Sequence, residues 1–194
     1  MQLNTQKKIA IFASGAGTNA QKIIEYFNHP PKKITVALIV CNKPNAGVIN
    51  VAKKNDIPVL LIEKEKFFKG NAYVDELKNA EIDLIVLAGF LWKLPSQLTK
   101  AFSEKIINIH PALLPKFGGK GMYGNFVHGA VISTGEKQSG ITIHIVDDLY
   151  DHGKQLFQIT CPVLPNDTPE SLSKRIHELE HKYYPKVIEE YLKL

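Results

Sequence analysis

Five short apolar runs punctuate the first 110 residues: IAIF at 9–12, TVALIV at 35–40, PVLLI at 58–62, LIVLAG at 84–89 and IINI at 106–109. Each run is apolar on both faces, which a strand needs when helices cover both sides of its sheet. The intervals carry helical periodicity and predict helices over 19–28, 46–55, 71–80 and 95–103. Their connections are short enough for right-handed crossovers between parallel strands. The expected fold is therefore α/β, with a doubly wound, Rossmann-like and mostly parallel sheet.

After IINIHPALLP the pattern changes. A glycine-rich loop, KFGGKGMYG, leads to a predicted helix over 125–134, and then ITIHIVDD and QLFQITCPV read as a strand pair. A long helix over 169–193 closes the chain, with Thr168 placed to cap it and Pro169 suited to its first position. Leu172, Ile176, Leu179, Tyr183 and Val187 form its apolar stripe, and Pro185 is expected to kink or break it. No repeat, low-complexity tract or linker interrupts the sequence. One domain over 1–194 is expected, with halves 1–105 and 106–194.

Composition narrows the function classes. A chain of 194 residues can bury roughly 70% of its unfolded surface without covalent staples. The net charge is +5, but the lysines neighbour acids, as in EKEKFFKG, and describe a solvated surface rather than a nucleic-acid interface. The excess charge would still steer small anions inward. No apolar run approaches the roughly 18 residues of a membrane span, and the polar start MQLNTQKK has no signal-peptide core. A cytoplasmic protein with no membrane partner is expected. Cys41 and Cys161 sit on strand-like patterns and read as reduced core thiols, too few for a metal cluster.

Gly15, Gly17 and Ala20 in ASGAGTNAQ have the spacing G-x-G-x-x-A, directly after the first strand and before a helix. Such a turn lets the backbone approach a phosphate, and the helix N-terminus offers free N–H groups. A dinucleotide site would also place an acid at the end of the second strand to hold a ribose hydroxyl. That strand ends in Val40, Cys41, Asn42 and Lys43. With the acid missing, a terminal phosphate held by the N–H groups of Gly17, Thr18 and Asn19 fits better, the Thr18 and Asn19 side chains adding hydrogen bonds. The plainer alternative is a tight turn capped by Thr or Asn.

Asn108 and His110 stand two apart at the end of the fifth strand and project to one side of its carboxyl edge, where open α/β sheets bind ligands. An amide and an imidazole so placed can hold a carbonyl oxygen and move a proton, or can simply cap a strand. Three acids, Asp147, Asp148 and Asp151, follow ITIHIV ahead of His152 and Gly153. A carboxylate beside His110 would orient the ring and raise its pKa. Spacing does not select among the three, and aspartate in a turn is commonly a turn former.

Taken together, SGAGTN, LAGF, NIHPALLP and the strand leading into DDLYDHG resemble the glycinamide ribonucleotide formyltransferase family, folate-dependent enzymes of purine synthesis. The likeness runs nearly end to end. It implies that Asn108, His110 and Asp151 are the catalytic trio, and that Gly17, Thr18 and Asn19 grip the ribose phosphate of the substrate. It implies further that 10-formyltetrahydrofolate is the co-substrate, with no metal. The folate would lie along Leu91, Trp92, Lys93 and Leu94 and the loop 146–151, with Asn108 and Asp147 in reach. Three positions depart from the family pattern. The stretch before His128, a match to an active-site histidine, is several residues longer than usual. His177 stands where a Gln often assists the phosphate, while Glu180 matches. The basic residue expected at the folate tail has no clear counterpart, Lys69 being the nearest candidate. Small-molecule partners only, and a monomer or homodimer, are the corresponding expectations.

Two sister activities, formylation of methionyl-tRNA and hydrolysis of formyltetrahydrofolate, would call for an added C-terminal β-barrel or an N-terminal regulatory domain. A nicotinamide-dependent oxidoreductase would want the missing acid, and a silent nucleotide-binding module would not need Asn108, His110 and Asp151 together.

Overall fold

The computed structural model describes residues 6–30 and 33–193. The strands are β1 (Lys7–Ala13), β2 (Ile34–Cys41), β3 (Val59–Leu61), β4 (Leu84–Leu87), β5 (Ile106–His110), β6 (Gln138–Ile145) and β7 (Gln155–Pro162). Among the described residues they form one seven-stranded sheet in the order β3-β2-β1-β4-β5-β6-β7. β1 pairs in parallel with β2 and β4, as do β2 with β3 and β4 with β5, whereas β6 runs antiparallel to both β5 and β7. The doubly wound, mostly parallel sheet with a C-terminal strand pair is thus present. From β1 the chain winds outward to β3, then returns to start β4 on the other side of β1. Such a reversal opens a crevice beyond the carboxyl ends of the two central strands, the usual ligand position in these sheets.

The helices are α1 (Thr18–Phe27), α2 (Gly47–Lys54), α3 (Lys64–Lys69), α4 (Ala72–Asn79), α5 (Ser96–Ala101), α6 (Asn125–Ser133) and α7 (Pro169–Leu192). α3 is an addition to the expected set, a six-residue helix that buries only Phe67 and so carries too little periodicity to read from sequence. β1 shows why its run is apolar throughout: Ile9, Ile11 and Ala13 enter one core with α1, α2 and α7 residues, while Ala10 and Phe12 enter the other with Leu77 and Leu98. Period-two alternation thus feeds two cores. Each fully buried Ile or Phe contributes roughly 1.5–3 kcal/mol.

α7 starts as expected, with the Thr168 hydroxyl accepting from Ser171 N–H and Ser171 Oγ accepting in return from Thr168 N–H. Pro185 lies inside this continuous helix and does not break it. Its deepest line is rotated from the expected stripe and passes through Leu172, Ile176, Glu180, Tyr184 and Ile188. Tyr183 and Leu179 lie only partly buried beside it. The stripe read from apolar residues missed Glu180, because a carboxylate is not counted as a core residue. Tyr184, fully buried, donates its hydroxyl toward the carbonyls of Leu87 and Ile107 at 2.9 and 3.3 Å, tying α7 to β4 and β5.

Candidate active site

The loop after β1 makes a left-handed turn at Gly17, with φ 81°, and α1 begins immediately after it. A Cβ at Gly17 would sit 2.8 Å from Val48 Cα, so only glycine lets α2 pack this close. No side chain caps α1. The capped-turn alternative therefore fails, and first-turn N–H groups remain for an anion. Asn19 Nδ2 donates one hydrogen to Glu180 Oε2 at 2.8 Å, beside the Thr18 hydroxyl. Burial pushes the Glu180 carboxyl up, against the Asn19 hydrogen bond and His177, and so favours the neutral acid beside an incoming anion.

The chemical groups meet across β5 and β6. Asn108 is the register partner of His144, and its Nδ2 lies 3.2 Å from His144 Nε2. His144 Nδ1 faces the Ile145 carbonyl at 2.9 Å. A carbonyl only accepts, so Nδ1 carries a proton; Nε2 accepts from the Asn108 amide in a neutral ring, and donates toward Asp151 in a charged one. Asp151 reaches both histidines, with Oδ2 3.5 Å from His110 Nδ1 and Oδ1 3.5 Å from His144 Nε2. Its Oδ2 also accepts from Gly119 N–H at 2.9 Å. Asp151 adopts φ 51°, in the left-handed region.

The other two acids are occupied elsewhere. Asp148 accepts from the Thr99 hydroxyl, and Asp147 accepts from Leu149 N–H at 2.8 Å and from His152 Nδ1 at 3.0 Å. Of the three acids, Asp151 is the one with a carboxylate oxygen within 4 Å of His110.

Burial, the largest influence, lowers the pKa of His110, although Asp151 and the Phe117 carbonyl, 2.8 Å from Nε2, oppose it. The opposition matters for chemistry: a neutral ring with a carboxylate at its back can gain charge transiently at modest energy. Burial also pushes Asp151 up, but His144, His110 and Gly119 N–H together hold it below the ordinary aspartate value, as an anion.

These groups open into one cleft of about 760 Å³. Gly17, Thr18, Asn19, His177 and Glu180 line it at the glycine loop, and Asn108, His110, His144 and Asp151 at the β5–β6 end. Leu91, Trp92, Lys93, Leu94 and Asp147 complete a more apolar wall, the environment a flat heterocycle requires. Trp92 packs on Phe67, Phe68 and Phe90, and Lys93 Nζ lies 5.5 Å from the Tyr150 ring centre. His128 faces the cleft despite the longer preceding loop, 1% exposed and with Nδ1 unpartnered among the described residues. Lys69 does not line the cleft. It pairs on α3 with Glu65, at 3.2 Å, while Phe67 is the α3 residue buried under Trp92.

His144 and Ser14 are the residues that sequence reasoning passed over. His144 had a visible signal, a polar ring inside an otherwise apolar strand. Ser14 had none: its buried hydroxyl accepts from Leu91 N–H at 3.0 Å and links the phosphate loop to the segment 88–94. Among the described residues, no group of three or more His, Cys, Asp or Glu side chains is placed to hold a metal, and no helix is long and apolar enough to cross a membrane.

Comparison with known proteins agrees with this geometry. The chain is 38% identical over 192 residues to the phosphoribosylglycinamide formyltransferase of Bacillus subtilis, covering 97% of this chain and 96% of that protein. It is 44% identical over 188 residues to the chloroplastic phosphoribosylglycinamide formyltransferase of Arabidopsis thaliana, covering 94% of this chain but only 64% of the plant protein's length. The crystal structure of phosphoribosylglycinamide formyltransferase from Bacillus halodurans superposes with a TM-score of 0.86 at 35% identity, covering 96% of this chain and 95% of that one. The formyl transferase profile matches residues 7–188. With that match over nearly its whole length, the chain belongs to the formyl transferase family.

Proposed function

We propose that this chain transfers the formyl group of 10-formyltetrahydrofolate to the amine of glycinamide ribonucleotide, giving formylglycinamide ribonucleotide and tetrahydrofolate in purine synthesis. The observation that carries the reading is the presence, in one cleft, of an uncapped phosphate-ready helix start and the Asn108, His110, His144 and Asp151 cluster. Relatives of the same printed name, at 38% and 44% identity, support it.

The roles follow from the geometry. Main-chain N–H groups of Gly17, Thr18 and Asn19 hold the ribose phosphate, and Glu180 fixes the Asn19 amide. Asn108 Nδ2 gives one hydrogen to His144 and keeps the second for the oxygen that gains charge when the amine adds to the formyl carbon. His144 is thus a positioning residue. The amine loses a proton and the leaving folate nitrogen gains one; His110 Nε2–H is held by the Phe117 carbonyl, so Nδ1, 3.5 Å from Asp151 Oδ2, is the nitrogen that takes up and passes that proton, with Asp151 stabilising the charged ring. The wall of Leu91, Trp92, Lys93 and Leu94, with Asp147, receives the folate ring. Tail recognition falls to Lys93 rather than Lys69, since Lys93, like Lys120, lines the cleft and Lys69 does not. His128 would supply its unpartnered nitrogen to substrate.

Residues 1–194 act as one catalytic domain, with the anion grip in 1–105 and the catalytic groups in 106–194. The partners are small molecules, without nucleic acid or membrane, and the working unit is a monomer or homodimer. Two free, buried thiols, Cys41 and Cys161, suit the reducing cytoplasm.

The test is direct. Purified protein is mixed with 10-formyltetrahydrofolate and glycinamide ribonucleotide, and release of tetrahydrofolate is followed. Amine-dependent release is expected. No release overturns the reading, and release without the amine points instead to hydrolysis.

A further inference from the structure

His110 faces two acceptors that compete for one proton. Its Nε2 lies 2.8 Å from the Phe117 carbonyl, and its Nδ1 lies 3.5 Å from Asp151 Oδ2. A neutral ring satisfies only one of them. The shorter contact puts the proton on Nε2 and leaves the Nδ1 lone pair free, so the position of the Phe117 carbonyl decides the tautomer.

Side chains of β6 and β7 hold the loop that carries this carbonyl. Among the described residues, the segment 111–118 makes no main-chain to main-chain hydrogen bond. The Thr142 hydroxyl donates to the Ala112 carbonyl at 2.7 Å and accepts from Leu114 N–H at 3.0 Å and from Gln158 Nε2 at 2.9 Å. Gln158 Nε2 also donates to the Leu114 carbonyl at 3.0 Å, which accepts in addition from Gln155 Nε2 at 3.3 Å. The Thr142 hydroxyl and both hydrogens of the Gln158 amide are then fully used. Leu114 in turn lies under the chain that leads out of Phe117: a Cβ on Gly118 would sit 2.6 Å from Leu114 Cδ2 and 3.2 Å from Asp151 Cβ. Phe117 itself adopts φ 56°, a region that a bulky residue enters only under restraint. Packing supplies little of that restraint, since a cavity of about 310 Å³ lies beside Leu114, Phe117 and Val131.

We propose that Gln158 is a positioning residue that fixes the His110 tautomer: by holding Leu114 through its amide, it keeps the Phe117 carbonyl on Nε2 and Nδ1 free to take up a proton. The effect on turnover rests on the formyl-transfer role assigned above; the tautomer does not. Without Gln158 the loop can relax toward the cavity, and the ring proton moves to Nδ1, where Asp151 attracts it. Nδ1 then has no lone pair for the proton of the amine. A glutamate at 158 would keep the size of the side chain but present a carboxylate to two acceptors, since the Thr142 hydrogen already points to Ala112. Gln158 stands exposed on the edge strand, outside the cleft, so its replacement leaves the groups that line the cleft unchanged.

The experiment reads the tautomer by proton–nitrogen NMR of the histidine rings in the substrate-free protein at about pH 8.5, where imidazoles are neutral, and reads turnover separately. Gln158→Leu, Gln158→Glu, Gln155→Leu and Ile159→Val are compared with the native protein, and His110→Gln assigns the signal. Ile159 is the β7 neighbour that packs on the core, so Ile159→Val loosens the strand without touching the network. Native His110 is expected in the Nε2–H form, moving largely to Nδ1–H in both Gln158 variants, in part in Gln155→Leu and not in Ile159→Val. In both Gln158 variants kcat should fall roughly tenfold to a hundredfold, the cost of a misplaced group, with KM unchanged within about twofold. An Nε2–H ring in both Gln158 variants overturns the proposal, as does an equal shift in Ile159→Val, or native kcat in a variant whose tautomer has moved. If one Gln158 variant fails to fold, the other and Gln155→Leu decide. If the tautomer moves as expected but the native protein transfers no formyl group, Gln158 keeps its hold on the ring and the assigned reaction falls.

Discussion

At one end of the cleft, a single turn of chain between β1 and α1 presents main-chain N–H groups; at the other, Asn108, His110, His144 and Asp151 come from two antiparallel strands and the loop beyond them. The anion end depends on backbone shape, set by Gly17 against Val48. The chemical end depends on side chains whose hydrogen bonds fix each other's protons. The difference implies that substitutions at the first end should alter binding, and substitutions at the second the chemical step.

The largest effect is expected at the chemical end. His110→Ala, and Asp151→Asn separately, should lower kcat by two to four orders of magnitude while the protein still folds, read by tetrahydrofolate release and circular dichroism. A near-native kcat in either variant would remove that residue from the proton path and blur the contrast between the ends.

Next comes His128, which sits between the two ends. Burial, with His177 and His110 adding to it, lowers its pKa to about 4, so between pH 6.5 and 4 the unfolded chain binds a proton that the native state does not. Stability therefore falls as pH drops through this window, by up to about 3 kcal/mol from this group, and is unaffected by it above pH 6.5. Urea midpoints across pH 4–7 should show a flatter fall for His128→Asn than for the native protein.

Tyr184→Phe probes the tie from α7 to β4 and β5. Losing the hydroxyl that serves the Leu87 and Ile107 carbonyls should destabilise the fold by about 1–2 kcal/mol in urea unfolding. The smallest effect belongs to Thr18→Ala, with a roughly threefold to tenfold rise in KM for the phosphorylated substrate, the signature of uniform binding lost. A fall in kcat instead would show that the anion end also shapes the transition state.

Legibility in the sequence follows the same division. The strands of the parallel half, and the phosphate turn, are encoded in contiguous residues, and each is found where its run lies. The chemical end was half legible. Asn108 and His110 share a strand and could be paired by period-two spacing, but His144 joins them only through the β5–β6 register. The selection of Asp151 over Asp147 and Asp148 required the path of the loop 146–154, in which the neighbours are committed to Thr99 and to Leu149 and His152. Glu180 escaped the helical stripe because burial of a carboxylate is made possible by Asn19, far away in sequence. Lys69 is marked in the sequence by charge alone, and on α3 it pairs with Glu65.

The positive φ of Asp151 sets two filters on one position. Backbone geometry there admits glycine, asparagine and aspartate most readily and penalises β-branched residues. The proton path proposed above needs the carboxylate. In a saturation scan scored separately for abundance and turnover, Gly and Asn at 151 should be abundant and inert, and Val, Ile and Thr depleted on both scores. Glutamate, which keeps the charge but not the turn, should fall between them in abundance. A position whose two scores separate in this way would mark a residue selected first by shape and then by charge.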